Sequence, residues 1–222
     1  MVTTSISHRD LKGLNSLANI DINQKHIYKN TSAISSEIIK YENEFKKPYV
    51  IGEYGFEWDW SKNFNDFSEG MDSDFKRGMW YGLFSPTPIL PMSWWWEYFD
   101  NRGTDAYFNK IKTVSDQMLA AGKGDFKIIT VDSSIPNIKT YGVQCGNKVF
   151  VYAYNPENTA QKVDFTIEGN LKSNFEVLAY DCESGIYKNV SFVSKAAVKQ
   201  KISGWNQAKK SDVVFIFNAA LK

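Results

Sequence analysis

KPYVIGEYGFEWDW, Lys47 to Trp60, is the stretch that decides how this chain folds. Pro48 can open a strand, because a first strand position needs no ladder N–H. Tyr49, Val50 and Ile51 then form a short apolar run that ends on Glu53, with Phe56, Trp58 and Trp60 close behind. An apolar run of this length reads as a buried strand. Strands of that kind occur in parallel sheets, whose faces are both covered.

Working outward, the segments on either side alternate between strand and helix patterns. Met1 to Ser7 is a short β-branched strand, followed by a brief helical stretch from Asp10 to Leu17, and Ile22 to Tyr28 is a second strand. Thr31 or Ser32 can cap a helix in which Ile34, Ile38, Tyr41 and Phe45 recur at helical spacing. After the strand that ends at Glu53, Asp72 and Ser73 can start a helix carrying Phe75, Met79 and Leu83. PILPMSWWW, Pro88 to Trp96, is a fourth strand, and Thr104 can cap a helix that stops at Gly122. Four strand–helix units in succession predict a parallel sheet with helical crossovers.

Beyond AAGKG, Ala120 to Gly124, the period changes. FKIITV, KVFVYAYN, KVDFTI, FEVLAY, VSFVS and VVFIF alternate with period two and are separated by turn signals such as YNPEN and CESG. That pattern predicts a small antiparallel β-sandwich. The expected organisation is therefore an α/β domain over residues 1–124 and an all-β domain over residues 125–222.

Composition narrows the function. The chain is 43% hydrophobic and 23% charged with a formal net charge of +1, so it has neither the basic excess of a nucleic-acid binder nor a polybasic membrane segment. No apolar run approaches the roughly 18 residues that span a bilayer, and the N-terminus lacks the order of a secretory signal. Cys145 and Cys182 read as small strand residues, not as a metal or disulfide framework. Aromatic residues reach 15%, and Trp58, Trp60, Trp80, Trp94, Trp95 and Trp96 all precede residue 100, leaving Trp205 alone in the later part.

In parallel α/β architectures, ligands bind where the C-terminal ends of the strands converge. Glu53 holds that position on its strand, His26 and Tyr28 on the strand before, and Trp94, Trp95, Trp96 and Glu97 on the strand after. A carboxylate flanked by flat apolar surfaces suits a sugar ring, which stacks its C–H face on tryptophan and bonds its hydroxyls to polar groups. Each residue alone has an ordinary reading: a solvated loop glutamate, a satisfied structural histidine, a packing tyrosine. Three consecutive tryptophans on a strand cannot all face one way, so at least one belongs to the core. Their agreement on one rim points to a site.

VTTSIS, IDINQKHIY, KPYVIGEYG and PMSWWWEY resemble strands five to eight of the (β/α)₈ barrels of clan A retaining glycoside hydrolases, notably family 5 and its relatives. The resemblance implies a partial barrel of four strand–helix units, acting on a β-linked oligo- or polysaccharide without cofactor or metal. It makes Glu53 the nucleophile and His26 and Tyr28 its neighbours. One of Trp94, Trp95 and Trp96 becomes the platform under the sugar, with Trp58 and Glu97 as further substrate contacts. VLAYDCESGIY is similar to a turn of the small β-domain appended to many such enzymes. An exported location is also implied.

The same resemblance places the clan's acid/base glutamate at the end of strand four, after an asparagine. Here the only Asn-Glu is Asn43-Glu44, inside a predicted helix, and Met1 falls at strand five. The expectation is therefore a C-terminal portion that is inactive alone and is completed by an N-terminal half-barrel or by self-association. A non-catalytic carbohydrate-binding fragment and an inactive product of a truncated reading frame are the alternatives.

Overall fold

A computed structural model describes residues 1–5, 11–57, 59, 61–171, 175–191, 193–194 and 199–219. Residues 6–10, which hold part of the predicted first strand and helix, lie outside that set. The chain packs as two compact units, Met1–Asp105 and Ala106–Lys222.

In the first unit, strands β1 (Asn23–Tyr28) and β2 (Tyr49–Gly55) pair in parallel. Thr3 bridges Ile22 and Ser93 bridges Tyr54, both in parallel, so four segments run side by side in chain order. The alternation of strand and helix produces this arrangement, since parallel neighbours need a crossover. The two outer segments, however, pair through single bridges. In the Pro88–Trp96 segment the cause is local. Pro88 and Pro91 offer no N–H, so pairing is confined to Tyr54 N–H donating to Met92 O and Trp94 N–H donating to Tyr54 O, each at 2.9 Å. The chain then bends into a short helix that begins at Trp96.

Helix α1 (Ile34–Phe45) buries Ile34, Ile38 and Tyr41, and Tyr41 stacks on Tyr49 of β2 with ring centroids 4.7 Å apart. The predicted caps do not form. Thr31 and Ser32 belong to a 3₁₀ turn, Thr31–Ala33, and the Ser32 hydroxyl donates to the Asn30 side chain at 2.8 Å. Helix α2 spans Ser68–Leu83 and so starts before Asp72, led in by a 3₁₀ turn at Phe64–Phe67. Gly78 and Gly82, one turn apart, flatten its inner face: a methyl group at Gly78 would overlap the Tyr54 ring, and one at Gly82 would overlap Pro91. Tyr54 is fully buried there and donates its hydroxyl to the Phe75 carbonyl at 2.5 Å. Helix α3 is Trp96–Asp100. Thr104 donates its hydroxyl to the Phe99 carbonyl at 3.0 Å, closing the loop behind α3.

Helix α4 (Asp105–Gly122) carries a buried stripe of Tyr107, Ile111, Val114 and Met118. Apart from its first residue it belongs to the second unit. Strands β3 to β12 follow: Phe126–Ile129, Val131–Ser133, Lys139–Cys145, Lys148–Tyr154, Gln161–Ile167, Phe175–Asp181, Tyr187–Asn189, Val193–Ser194, Gln200–Gln207 and Asp212–Ala219. They form two antiparallel sheets, ordered β10-β11-β7-β4 and β3-β5-β6-β12-β8-β9. One apolar layer lies between them, with Phe165 of β7 facing Phe215 of β12 at 5.3 Å. Val177 and Ala179 of β8 point into that layer, so Tyr180 points out, where its hydroxyl donates to the Lys110 carbonyl of α4 at 3.2 Å. The CESG turn is held by Asp181, whose Oδ1 accepts from Glu183 N at 3.1 Å and Ser184 N at 2.7 Å. Cys145 and Cys182 are buried thiols outside any disulfide, and burial pushes Cys145 up to about 12.

Candidate active site

β1 and β2 do not pair in simple register. Asn23, Gln24 and Lys25 oppose Tyr49, Val50 and Ile51, but His26 opposes Glu53, leaving Gly52 as an extra residue on β2. This is a β-bulge, which re-aims side chains and is found next to functional sites. Without it His26 would oppose Gly52, and Glu53 would point to the other face. A Cβ on Gly52 would stand 2.6 Å from Gln24 Oε1, the movable end of a side chain, and 3.3 Å from His26 Nε2, so glycine leaves the imidazole its room.

The result is a cluster on one carboxylate oxygen. Tyr28 donates its hydroxyl to Glu53 Oε2 at 2.6 Å, and His26 Nδ1 lies 2.9 Å from the same oxygen. On the far side of the imidazole, Ser5 Oγ lies 3.0 Å from Nε2. His26 is buried at 7% exposure while the Glu53 side chain keeps 27%. Burial, reinforced by the Glu53 carboxylate, raises the Tyr28 phenol far above the ordinary tyrosine range, so it stays a donor. Glu53 lies within β2, two residues short of its end at Gly55, whereas Tyr28 closes β1.

The aromatic candidates separate. Trp95 is 2% exposed, donates its indole N–H to the Glu57 carbonyl, packs against Gly55 and meets the edge of Phe64 at 4.3 Å. It is the member of the triplet that turns to the core. Trp96, the first residue of α3, is 57% exposed, Trp94 is half-buried, and Glu97 is exposed. Trp58 lies outside the described residues. Glu57, a carboxylate close to the rim, is bracketed by Lys62 Nζ at 2.7 Å and Lys29 Nζ at 3.3 Å, the setting of a structural anion and not of a proton donor. Sequence reasoning missed Ser5 and the role of Gly52; an isolated glycine in a strand before a carboxylate was the available signal for the bulge. Among the described residues, no three His, Cys, Asp or Glu side chains gather to hold a metal ion.

No protein-family model matches this sequence, and no curated protein matches it. Solved structures do match. A GH30 endoxylanase from Clostridium papyrosolvens C71 aligns with a TM-score of 0.55 and 14% identity over 94% of this chain and 52% of its own. A glycoside hydrolase family 30 subfamily 8 xylanase from Clostridium acetobutylicum gives 0.52 and 14% over 90% and 49%. An Anoxybacillus alpha-amylase gives 0.55 and 15% over 91% and 48%. The chain shares its fold with part of these three structures and spans about half the length of each.

Proposed function

We propose that this chain is the C-terminal portion of a retaining β-glycoside hydrolase acting on a β-linked glycan, with Glu53 as nucleophile. The observation that carries the reading is the double hold on Glu53 Oε2 by Tyr28 and His26 from the adjacent parallel strand. Those donors orient the carboxylate, spread its charge and leave the second oxygen to attack an anomeric carbon. Trp96 supplies the open indole face for a sugar ring, with Trp94 beside it in sequence. Both xylanases and an alpha-amylase share the fold, so the fold does not choose the linkage; the preference for a β-linked substrate rests on the likeness of this cluster to the clan A pattern.

Retaining hydrolysis needs a second carboxyl group about 5–5.5 Å from the nucleophile to protonate the leaving group. Glu57 is held between two lysines, and Glu97 is an exposed residue of α3. In this reading the acid/base would be supplied by an N-terminal half-barrel. The test is turnover of an unactivated β-glycan. Joining the chain to a half-barrel that supplies the strand-four acid should give hydrolysis that Glu53→Gln abolishes. Hydrolysis by the 222-residue chain alone that survives Glu53→Gln would overturn the proposal.

A second reading, non-catalytic glycan binding, is favoured by the exposure of Trp96. Retained binding by Glu53→Gln together with loss in Trp96→Ala, without turnover in any assembly, would select it.

A further inference from the structure

We infer that Ser5 is a positioning residue: its hydroxyl holds the His26 ring in the Nδ1–H tautomer, so that one oxygen of Glu53 is gripped by two donors and the other is presented. The catalytic half of this inference rests on the reading of Glu53 as nucleophile; the hydrogen-bond half does not.

The assignment follows from what each group can do. An ionised carboxylate only accepts, so the nitrogen 2.9 Å from Glu53 Oε2 must be the one that carries hydrogen, and that nitrogen is Nδ1. In a neutral imidazole the other nitrogen then offers a lone pair. Nε2 faces Ser5 Oγ at 3.0 Å, and a hydroxyl can donate there. The ring is buried, so an unanswered Nε2 would be an unsatisfied acceptor with a desolvation cost. Gly52 approaches the same nitrogen closely enough that a Cβ there would stand at 3.3 Å, which leaves little room for a substitute donor.

Ser5 reaches the ring from a third segment. Thr3 pairs with Ile22 just ahead of β1, and Ser5, two residues on, shares the face of Thr3. Among the described residues, the charged and titratable groups near the imidazole are Glu53 from β2, Tyr28 from β1, and Lys25, Lys29 and Glu37, which line the same cleft, Lys25 and Glu37 pairing at 2.9 Å to link β1 to α1. A doubly protonated ring would place a full positive charge against Glu53 and blunt it as a nucleophile. A ring released from Ser5 could tilt away from Oε2, leaving Tyr28 as the one named donor on that oxygen.

The experiment uses the full chain, whose two histidines are His8 and His26, assigned by His8→Gln. Imidazole ¹⁵N spectra at neutral pH should show His26 Nε2 as an unprotonated, hydrogen-bonded nitrogen and Nδ1 as protonated, with a proton sheltered from solvent exchange. Ser5→Ala should shift Nε2 toward the position of a nitrogen without a donor and lose the sheltered Nδ1 proton to exchange. Ser5→Thr should restore both, which a merely structural loss would not allow. A wild-type spectrum with Nε2 protonated, or a Ser5→Ala spectrum that overlays on wild type, would overturn the inference. These spectra involve no glycan. If they come out as expected while Glu53 fails every test of nucleophilicity, the positioning stands and the hydrolase reading falls.

Discussion

Phe215 and Glu53 sit near the middle of the two units and face opposite kinds of surroundings. Phe215 lies on β12, which is paired along its length with β6 on one side and β8 on the other, and its fully buried ring meets Phe165 at 5.3 Å and Trp205 at 5.1 Å. Glu53 lies on β2, whose full partner is β1 alone, with Ser93 adding a single bridge on the other side. The second unit closes an apolar layer with its own residues. The first unit places a polar, hydrogen-bonded cluster beside its own buried residues, with Glu53 Oε2 held by Tyr28 and His26. The difference teaches that the two units meet burial in different ways, one with an apolar layer and the other with hydrogen-bonded polar groups as well.

The comparison breaks most visibly at Phe215. Phe215→Ala removes a ring from the centre of the layer and should cost about 3–5 kcal/mol. Urea unfolding followed by far-UV circular dichroism should move strongly. Fluorescence, dominated by the tryptophans of the first unit, should move little. Equal shifts in both signals would show that the two units unfold as one.

Asp74 on α2 sharpens the comparison through pH. Burial pushes its carboxyl up to about 7. The folded state thus binds this proton more tightly than the unfolded chain, whose ordinary value is 3.8. That contribution to stability is fully present below pH 4, declines as pH rises toward 7 and is gone above it. The loss should be on the order of 2–4 kcal/mol. Asp74→Asn should flatten the fluorescence-detected stability between pH 4 and 8 and stabilise the first unit at pH 8; an unchanged slope would remove Asp74 as its source.

Gly78→Ala should be destabilising even though alanine favours helices by roughly 1 kcal/mol over glycine. The added methyl meets the Tyr54 ring, and overpacking of this kind typically costs about 1–3 kcal/mol. A net gain in the urea midpoint would mean that Tyr54 is not packed as described. Gly52→Ala should have the smallest effect on stability, under about 1 kcal/mol, because its nearest obstacle is the flexible amide of Gln24. Its readout is the His26 imidazole spectrum, which should change; a spectrum identical to wild type would argue against the bulge.

Much of this was legible in the sequence because the period changes where the architecture changes. Tyr49 to Glu53 reads as a parallel strand, and KVFVYAYN and VVFIF read as antiparallel ones. β5, KTYGVQC, was missed because polar residues and Gly142 interrupt its alternation. β11 was missed because its register shifts between Ile202 and Trp205, which breaks the period. The strand predicted over Pro88–Trp96 shrank to one bridge because its prolines cannot donate and Pro91 is committed to the α2 surface. At the site, Glu53, His26 and Tyr28 could be named because strand ends are where loops converge. Ser5 could not, since its role depends on a third segment arriving beside β1. Nor could sequence choose among the tryptophans; the structure gives the buried role to Trp95 through its indole bond to the Glu57 carbonyl.

The central claim is that Glu53 attacks an anomeric carbon, and covalent trapping tests it most directly. Dinitrophenyl 2-deoxy-2-fluoro-β-glycosides carry a leaving group that departs without protonation, so the first step does not need an acid. Intact mass spectrometry of the chain incubated with a panel of xylo-, gluco-, manno- and galacto-configured reagents should show a single glycosyl adduct. Peptide mapping should place it on Glu53, and Glu53→Gln should abolish it. An adduct on another carboxylate, or none with any reagent even after a half-barrel carrying a strand-four acid is supplied, would contradict the account.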